Sequence, residues 1–340
     1  MKRLYLALFV SVIVILVTSL IASCAPKPEE AIVIRISVAQ PPGDPLSVNF
    51  EEMAQRINER TKGEYIAKVF VGESLVKMGE SLDAVRTGAV EMISGVPYPA
   101  FAGLEPRLGE LMMLFNNYNA TVDATLDPDF IKLYDEIFLQ FNQHALAVLA
   151  SDVPQLLSNK QVKTLEDWKD CLIGVPAPVA SDFVNLMGGA PVVVSWTDYY
   201  SSLEKGVVDG ILGGTNQMRT AKLTDVGEYV TLFDPYGVFM GHNINLDVWN
   251  AMPKRIQNIF IEETAWSSQT LSDFLKSVFA KDVEDLTALG CEVYVLPAEE
   301  RDRWRELTDP YLEKQLSEMG EFGQKMNEIA DKVNANNPRQ

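Results

Sequence analysis

The sequence predicts an α/β protein of two lobes, each built on a mostly parallel sheet, with one long helix spanning both. Three observations carry this. From Ile32 onward, short apolar runs of strand length alternate with segments of helical spacing, the pattern of repeated strand-helix-strand units. A weak internal echo divides the chain: Gly88-Ala89-Val90-Glu91 ends one helix and opens a strand, and Gly206-Val207-Val208-Asp209 repeats the arrangement, each glycine suited to a left-handed helix end. Residues 253–289 then form one uninterrupted helical stripe, about 55 Å at about 1.5 Å per residue, longer than one small lobe is wide. The 340 residues are enough for two cores. With 47% hydrophobic and 22% charged residues the composition excludes a disordered, collagenous or polytopic membrane chain. Lys plus Arg number 29 against 47 Asp plus Glu, a net charge of -18 that repels polyanions, so nucleic acid is excluded as a partner.

The elements follow in order. Lys2 and Arg3 precede an apolar run from Leu4 to Ile21, the layout of a secretory signal. The run closes on Ile21-Ala22-Ser23-Cys24, which resembles the lipobox of bacterial lipoproteins. The expectation is therefore a signal peptide over 1–23, acylation of Cys24, and a Pro-containing, charged tether over 24–31 with nothing to bury. The alternative is an uncleaved signal anchor. Ile32, Ile34, Ile36 and Val38 alternate as one face of a strand, and Phe50, Met53, Ala54 and Ile57 recur at helical spacing after the Pro41–Pro45 turn. Strands are expected at Ile66–Val71, Val90–Val96, Ala145–Ala150, Leu172–Val175, Pro191–Val194 and Val208–Leu212, with a helix over Glu80–Thr87. Pro253 suits the opening and Gly290 the stop of the long helix, whose stripe is Ile256, Ile259, Phe260, Trp266, Phe274 and Val278. A strand at Glu292–Leu296, a final helix from Ala298 and a frayed end over 334–340 complete the chain. Residues 32–150 with 237–265 are assigned to lobe 1, and 151–236 with 266–340 to lobe 2. Cys171 and Cys291 each precede a strand-like run, and either pair in a disulfide or lie as two buried thiols.

Chemistry has little to stand on. His144 and His242 fall in separate elements, with no HxxxH, CxxC or GxSxG spacing anywhere, so no metal, no cofactor and no enzymatic activity are expected. Gly213-Gly214 lacks the Lys-Ser/Thr of a phosphate loop and reads as a tight strand exit. An exported two-lobed α/β chain without catalytic groups points to capture of a small molecule between its lobes.

Five segments in one order add a resemblance: Val71-Gly72-Glu73-Ser74-Leu75; Val85 to Met92 (VRTGAVEM); Leu165 to Pro176 (LEDWKDCLIGVP); Gly189-Ala190-Pro191-Val192 with Tyr200-Ser201-Ser202-Leu203 and Gly206-Val207-Val208-Asp209-Gly210; and Val248 to Pro253 (VWNAMP). From Ile34 to about Leu316 the chain resembles the solute receptors of tripartite ATP-independent periplasmic (TRAP) transporters, the DctP-like family. The resemblance implies a periplasmic-binding-protein, or Venus flytrap, architecture. It also implies a small organic ligand, and a membrane permease pair as partner with no ATPase.

The departures bear on the ligand. Where the family carries the arginine that pairs with a substrate carboxylate, this chain has Gly174; where an asparagine commonly follows the V-D-G segment, it has Gly213. A further basic residue of sialic-acid-type members falls near Pro154 and Gln155. A carboxylate buried without a charge partner costs several kcal/mol, so a simple monocarboxylate is not the expected ligand. The matching positions leave Trp196, Tyr98, Tyr199, Tyr236 and Phe239 as aromatic candidates. They leave Asp152, Gln155, Asn216, Gln217 and Asp234 as polar ones, a set suited to a neutral, aromatic or cationic ligand. Arg219, Arg86 or Arg107 would restore a carboxylate partner if one reached the cleft. The competing functional readings are a ligand-sensing lipoprotein and the receptor of an ATP-driven importer.

Overall fold

The computed structural model describes residues 31–95, 111–176 and 178–339. The signal peptide, Cys24, Tyr98 and Arg107 lie outside the described residues.

The chain opens as a parallel unit. Strand β1 (Ile32–Ser37) pairs in parallel with β2 (Tyr65–Phe70) and with β3 (Met92–Gly95). Between β1 and β2 runs helix α1 (Pro45–Thr61). Asp44 caps it by accepting the Leu46 N–H at 2.9 Å, Pro45 pre-sets its first turn, and Lys62 ends it in the left-handed region at φ 53°. Its Phe50, Met53, Ala54 and Ile57 bury against Ile34 and Ile36 of β1. Helix α2 (Ser81–Arg86) leads into β3; helices α3 (Tyr118–Ala124) and α4 (Pro128–Leu139) precede β4 (Gln143–Ala150).

The chain then crosses at 151–154 into a second sheet. There it forms β5 (Gln155–Ser158), β6 (Leu172–Val175), α5 (Pro178–Met187), β7 (Ala190–Val193), α6 (Tyr199–Glu204), β8 (Gly210–Gly213), α7 (Thr215–Thr220) and β9 (Tyr229–Leu232). It returns at 233–238 as β10 (Phe239–Asn245), followed by α8 (Leu246–Ala251) and the 35-residue α9 (Lys254–Ala288). Strand β11 (Glu292–Val295), α10 (Ala298–Glu318) and α11 (Glu321–Asn336) end the chain. The sheet orders are β2-β1-β3-β10-β4 and β11-β9-β5-β8-β6-β7.

Each sheet is parallel except for one strand, β10 in the first and β5 in the second. Both follow a crossing directly, and this explains their direction. A chain leaving the carboxyl end of β4 or β9 arrives at the facing edge of the other lobe, so its first strand there must run away from that edge. The mostly parallel expectation therefore holds, while β5, β9 and β10 are strands the periodicity did not reveal. All seven residues of β10 are buried, and with two covered faces no apolar-polar alternation marks it.

Helix α9 spans both lobes as expected. Ile256, Phe260, Leu271 and Leu275 pack in the first core, whereas Leu286 packs in the second. Arg56 and Arg60 of α1 pair with Glu263 on its near half, and Arg56 also lies 4.2 Å over the Trp266 ring. Leu271 and Leu275 therefore belong with lobe 1, past the boundary at 265. The C-terminal assignment also needs correction. Trp304 of α10 packs in the lobe 2 core, but Met326, Ile329, Ala330 and Val333 of α11 pack against Phe130, Leu133 and Ile137 of α4 in lobe 1.

Three further expectations are corrected. The terminal helix is two helices, broken at Gly320 with φ 60°. The end of the chain is tied rather than frayed: Asn334 accepts the Asn116 N–H at 2.8 Å and donates to the Leu114 carbonyl at 2.9 Å, and Arg339 pairs with Asp302. Cys171 and Cys291 are both buried free thiols. Cys171 precedes β6 and Cys291 precedes β11, strands separated by β9, β5 and β8, about 19 Å at about 4.8 Å per strand and far beyond disulfide reach.

Candidate functional site

The parallel strands of both sheets end toward the two crossings, and ligands of open α/β sheets bind at such carboxyl edges. Three connections join the lobes here: the crossings at 151–154 and 233–238, and α9. Gln155 ties the crossings together. Its Nε2 donates to Asp234 Oδ1 at 2.6 Å while its Oε1 accepts the Phe233 and Asp234 N–H groups at 2.8 and 3.2 Å. Asp234 is held in the left-handed region at φ 48°, and its Oδ2 accepts the Tyr118 N–H at 3.1 Å. From behind, the buried Arg301 of α10 donates to the carbonyls of Phe233, Asp234 and Phe115.

Asp152 occupies the first crossing. Its Oδ2 accepts the Asn216 N–H at 3.1 Å, and its carboxylate fills the space over Gly214, where a Cβ would lie 2.1 Å from Oδ2. Burial, with the charge of Asp282 adding to it, pushes the Asp152 carboxyl up to about 7 against the pull of donors from Asn216, Tyr118 and Val153. Asp282 on α9 is raised by burial too, although Arg219 Nε donates to it at 2.8 Å.

The candidate ligand residues divide into two groups. Gln155, Tyr199, Asp234 and Phe239 are engaged by the protein itself. Tyr199 donates to the Leu212 carbonyl at 3.0 Å and burial raises its hydroxyl pKa; Phe239 sits between Phe115 and Phe130 in the lobe 1 core, with centroids at 5.8 and 4.8 Å. Tyr236 is buried in the lobe 2 core, and Asp152 and the Asn216 backbone serve the junction. Trp196, by contrast, follows β7 and is 44% exposed, with Tyr199 5.2 Å behind its ring. The Gln217 amide is half-buried above Gly213, its Oε1 3.0 Å from where a Cβ at 213 would stand. Gly174 has no room to spare either. A Cβ there would meet Ile211 Cγ2 at 3.1 Å and Val194 Cγ2 at 3.6 Å, so aliphatic side chains flank the position where the resemblance implies arginine. Of the alternative arginines, Arg219 is committed to Asp282 and to Asn216 Oδ1 at 3.1 Å, and Arg86 pairs with Asp83 before the amino end of β3, away from the crossings.

Sequence reasoning missed Tyr118, Asp282 and Gly214. Tyr118 follows a capping Asn117, a legible helix start, but nothing in the local pattern announces that its N–H meets Asp234. Among the described residues no group of His, Cys, Asp and Glu is placed to hold a metal, and no helix is long and apolar enough to cross a membrane.

The family model for bacterial extracellular solute-binding protein, family 7 (DctP), matches residues 36–319. The chain belongs to the DctP family. The receptor is 23% identical over 321 residues to the C4-dicarboxylate-binding periplasmic protein DctP of Rhodobacter capsulatus, covering 88% of this chain and 91% of that protein. It is 25% identical over 293 residues to the C4-dicarboxylate-binding protein DctB of Bacillus subtilis, covering 83% and 81%. A TRAP periplasmic solute-binding protein from Ochrobactrum anthropi, solved with its C-terminus bound in the ligand-binding pocket, superposes with a TM-score of 0.82 at 22% identity, covering 90% of this chain and 97% of that one. The two-lobed fold and the long spanning helix are those of TRAP solute-binding proteins, and the receptor is a solute-binding protein, not an enzyme.

Proposed function

We propose that this DctP-family receptor captures a small organic molecule by closing its lobes on it and delivers it to the membrane permease of a TRAP-type transporter. In this reading, acylation at Cys24 holds it on the outer face of a membrane. The ligand is neutral, aromatic or cationic rather than a simple monocarboxylate. The observation that carries this is the surroundings of Gly174: Ile211 and Val194 flank the place of the carboxylate-pairing arginine, and Arg219 is already paired with Asp282. A carboxylate that entered the cleft without a free guanidinium to pair with would do so at a cost of several kcal/mol, and Arg219 is already engaged by Asp282. Trp196 offers the ring face and Gln217 the amide; both are accessible and on lobe 2. The dicarboxylate ligands named for the Rhodobacter and Bacillus relatives are therefore not carried over to this receptor.

Native mass spectrometry of the purified protein, before and after denaturation, identifies any co-purified molecule. A thermal-shift screen of carboxylates, aromatic amines and neutral polar compounds then ranks ligands by mass action. A neutral, aromatic or cationic hit whose shift disappears in Trp196→Ala is the expected result. Tight binding of a plain carboxylate that survives Trp196→Ala overturns the ligand class.

A further inference from the structure

Helix α10 touches both lobes, and its contacts change sides within one turn. Its first half belongs to lobe 2. Glu300 Oε1 accepts the Leu165 N–H at 2.9 Å, and Arg303 Nη2 pairs with Glu166 at 2.6 Å. Trp304 is fully buried against Trp168 and Phe233, with ring centroids at 5.5 and 5.3 Å. The second half belongs to lobe 1, where Leu312 and Met319 are buried with Phe130 and Leu133 of α4, and Leu316 packs beside them. The change falls between adjacent residues. Tyr311 still packs on the lobe 2 core and its hydroxyl donates to Asp182 Oδ2 on α5 at 2.7 Å, whereas Leu312 joins the lobe 1 core.

Pro310 stands in this shared turn, inside a helix of 21 residues. It has no N–H to give the Glu306 carbonyl, and its ring crowds that carbonyl, so the turn from 306 to 310 lacks a rung of the helical ladder. The side chains of the turn do not replace it. Arg305 Nε and Asp309 Oδ1 stand 3.6 Å apart, too far for a hydrogen bond, and Arg305 Nη1 and Asp309 Oδ1 are buried without a hydrogen-bond partner among the described residues. Thr308 Oγ1 donates to the Arg305 carbonyl at 3.4 Å, a local bond that competes with the ladder.

We propose that α10 is a second helix spanning the lobes and that Pro310 is a positioning residue for capture, the point at which α10 flexes when the lobes close. This rests on the reading that ligand is captured by lobe closure. A straight helix rooted in both lobes holds one angle between them. A helix with a missing rung where its contacts change sides lets each half stay packed on its own lobe while the angle changes.

The test attaches spin labels to the full-length protein at two exposed sites, Glu51 on α1 and Lys205 beyond α6, through keto side chains that leave all three cysteines untouched. The protein is first unfolded and refolded to strip bound molecules. The interlobe distance is then read with rising polyethylene glycol, an excluded osmolyte that favours the form with less cleft surface exposed to water. In the parent the distance is expected to shorten. In Pro310→Ala the new amide at position 310 can donate to the Glu306 carbonyl, and the substitution favours the helix, so folding is not at risk. The expected result there is loss of the shortening, with slowed exchange of the new amide and unchanged amide exchange over β1 and β8. That combination separates a stiffened joint from a damaged lobe. Equal shortening in the parent and in Pro310→Ala overturns the proposal. So does an amide at position 310 that exchanges as fast as in an unfolded chain, since the ladder is then open for a reason other than the proline. A parent whose distance ignores the osmolyte defeats the closure reading itself, and the proposal falls with it.

Discussion

Two titratable residues, the half-buried Asp152 and the fully buried His242, give the molecule opposite responses to acid. Asp152 binds its proton more tightly folded than unfolded, from an ordinary value of 3.8 to about 7. Its contribution to stability is therefore fully present below about pH 4 and is lost as pH rises through about 7. His242 is the reverse case. Fully buried, it hydrogen-bonds Ser94 through Nδ1 at 2.7 Å and Ser267 through Nε2 at 3.0 Å, and burial lowers it from 6.5 to about 3. The unfolded chain takes up this proton first, so stability falls as pH drops from about 6.5 toward 3. Chemical unfolding across this range is expected to show the two slopes separately. Asp152→Asn leaves only the acid loss and His242→Asn only the alkaline one, each on the order of a few kcal/mol; identical profiles for parent and variants would refute both assignments. Gly214→Ala places a Cβ against the Asp152 carboxylate and should cost about 1–3 kcal/mol, read in the same assay. At this scale the sequence was partly legible. Trp196 is a candidate from its place before the Tyr200 to Leu203 segment, and its exposure is what the structure adds. Asp234, Gln155 and Phe239 could not be separated from ligand groups, because each is occupied by residues far along the chain.

At the scale of elements, caps and periodicity placed the helices well. The Asp44-Pro45 start of α1 and the span of α9 from just after Pro253 to just before Leu289 are local signals, and the structure keeps both. The strands that escaped are the ones set by crossing. Strand β10 owes its direction to entry from the other lobe and its polar content to α9 and β3, where Ser94 lies directly across from His242 in register and Ser267 meets its far nitrogen. Helix α11 is held to lobe 1 by an apolar face and by Asn334, which pairs with the 114–116 segment. Asn334→Ala is expected to free the last turns: amide exchange over 330–337 should quicken about five- to thirty-fold, as loss of about 1–2 kcal/mol of local stability requires, while α9 keeps its protection. Equal exchange in the variant would show that the apolar face alone secures the end.

At the scale of the molecule, the chain is one receptor because α9 binds both cores and two crossings are clasped to each other by Gln155 and Asp234. Ligand that contacts both lobes stabilises the closed form by its differential contacts alone. In Trp196→Ala the stability without ligand should change by less than about 1 kcal/mol, because the ring is 44% exposed, while the ligand-induced rise in melting temperature is lost. A large loss of stability without ligand would instead make Trp196 a packing residue. The sequence by itself determined the α/β alternation, the two lobes, the spanning helix and the family, since these follow from local periodicity, caps and short ordered motifs. Only the tertiary structure decided which strand runs against its sheet, where α11 docks, that the two cysteines stand apart, and that the Tyr118 N–H meets Asp234. The physical reason is the same in each case: these features depend on which distant segments share a surface, and neither composition nor spacing along the chain encodes that distance.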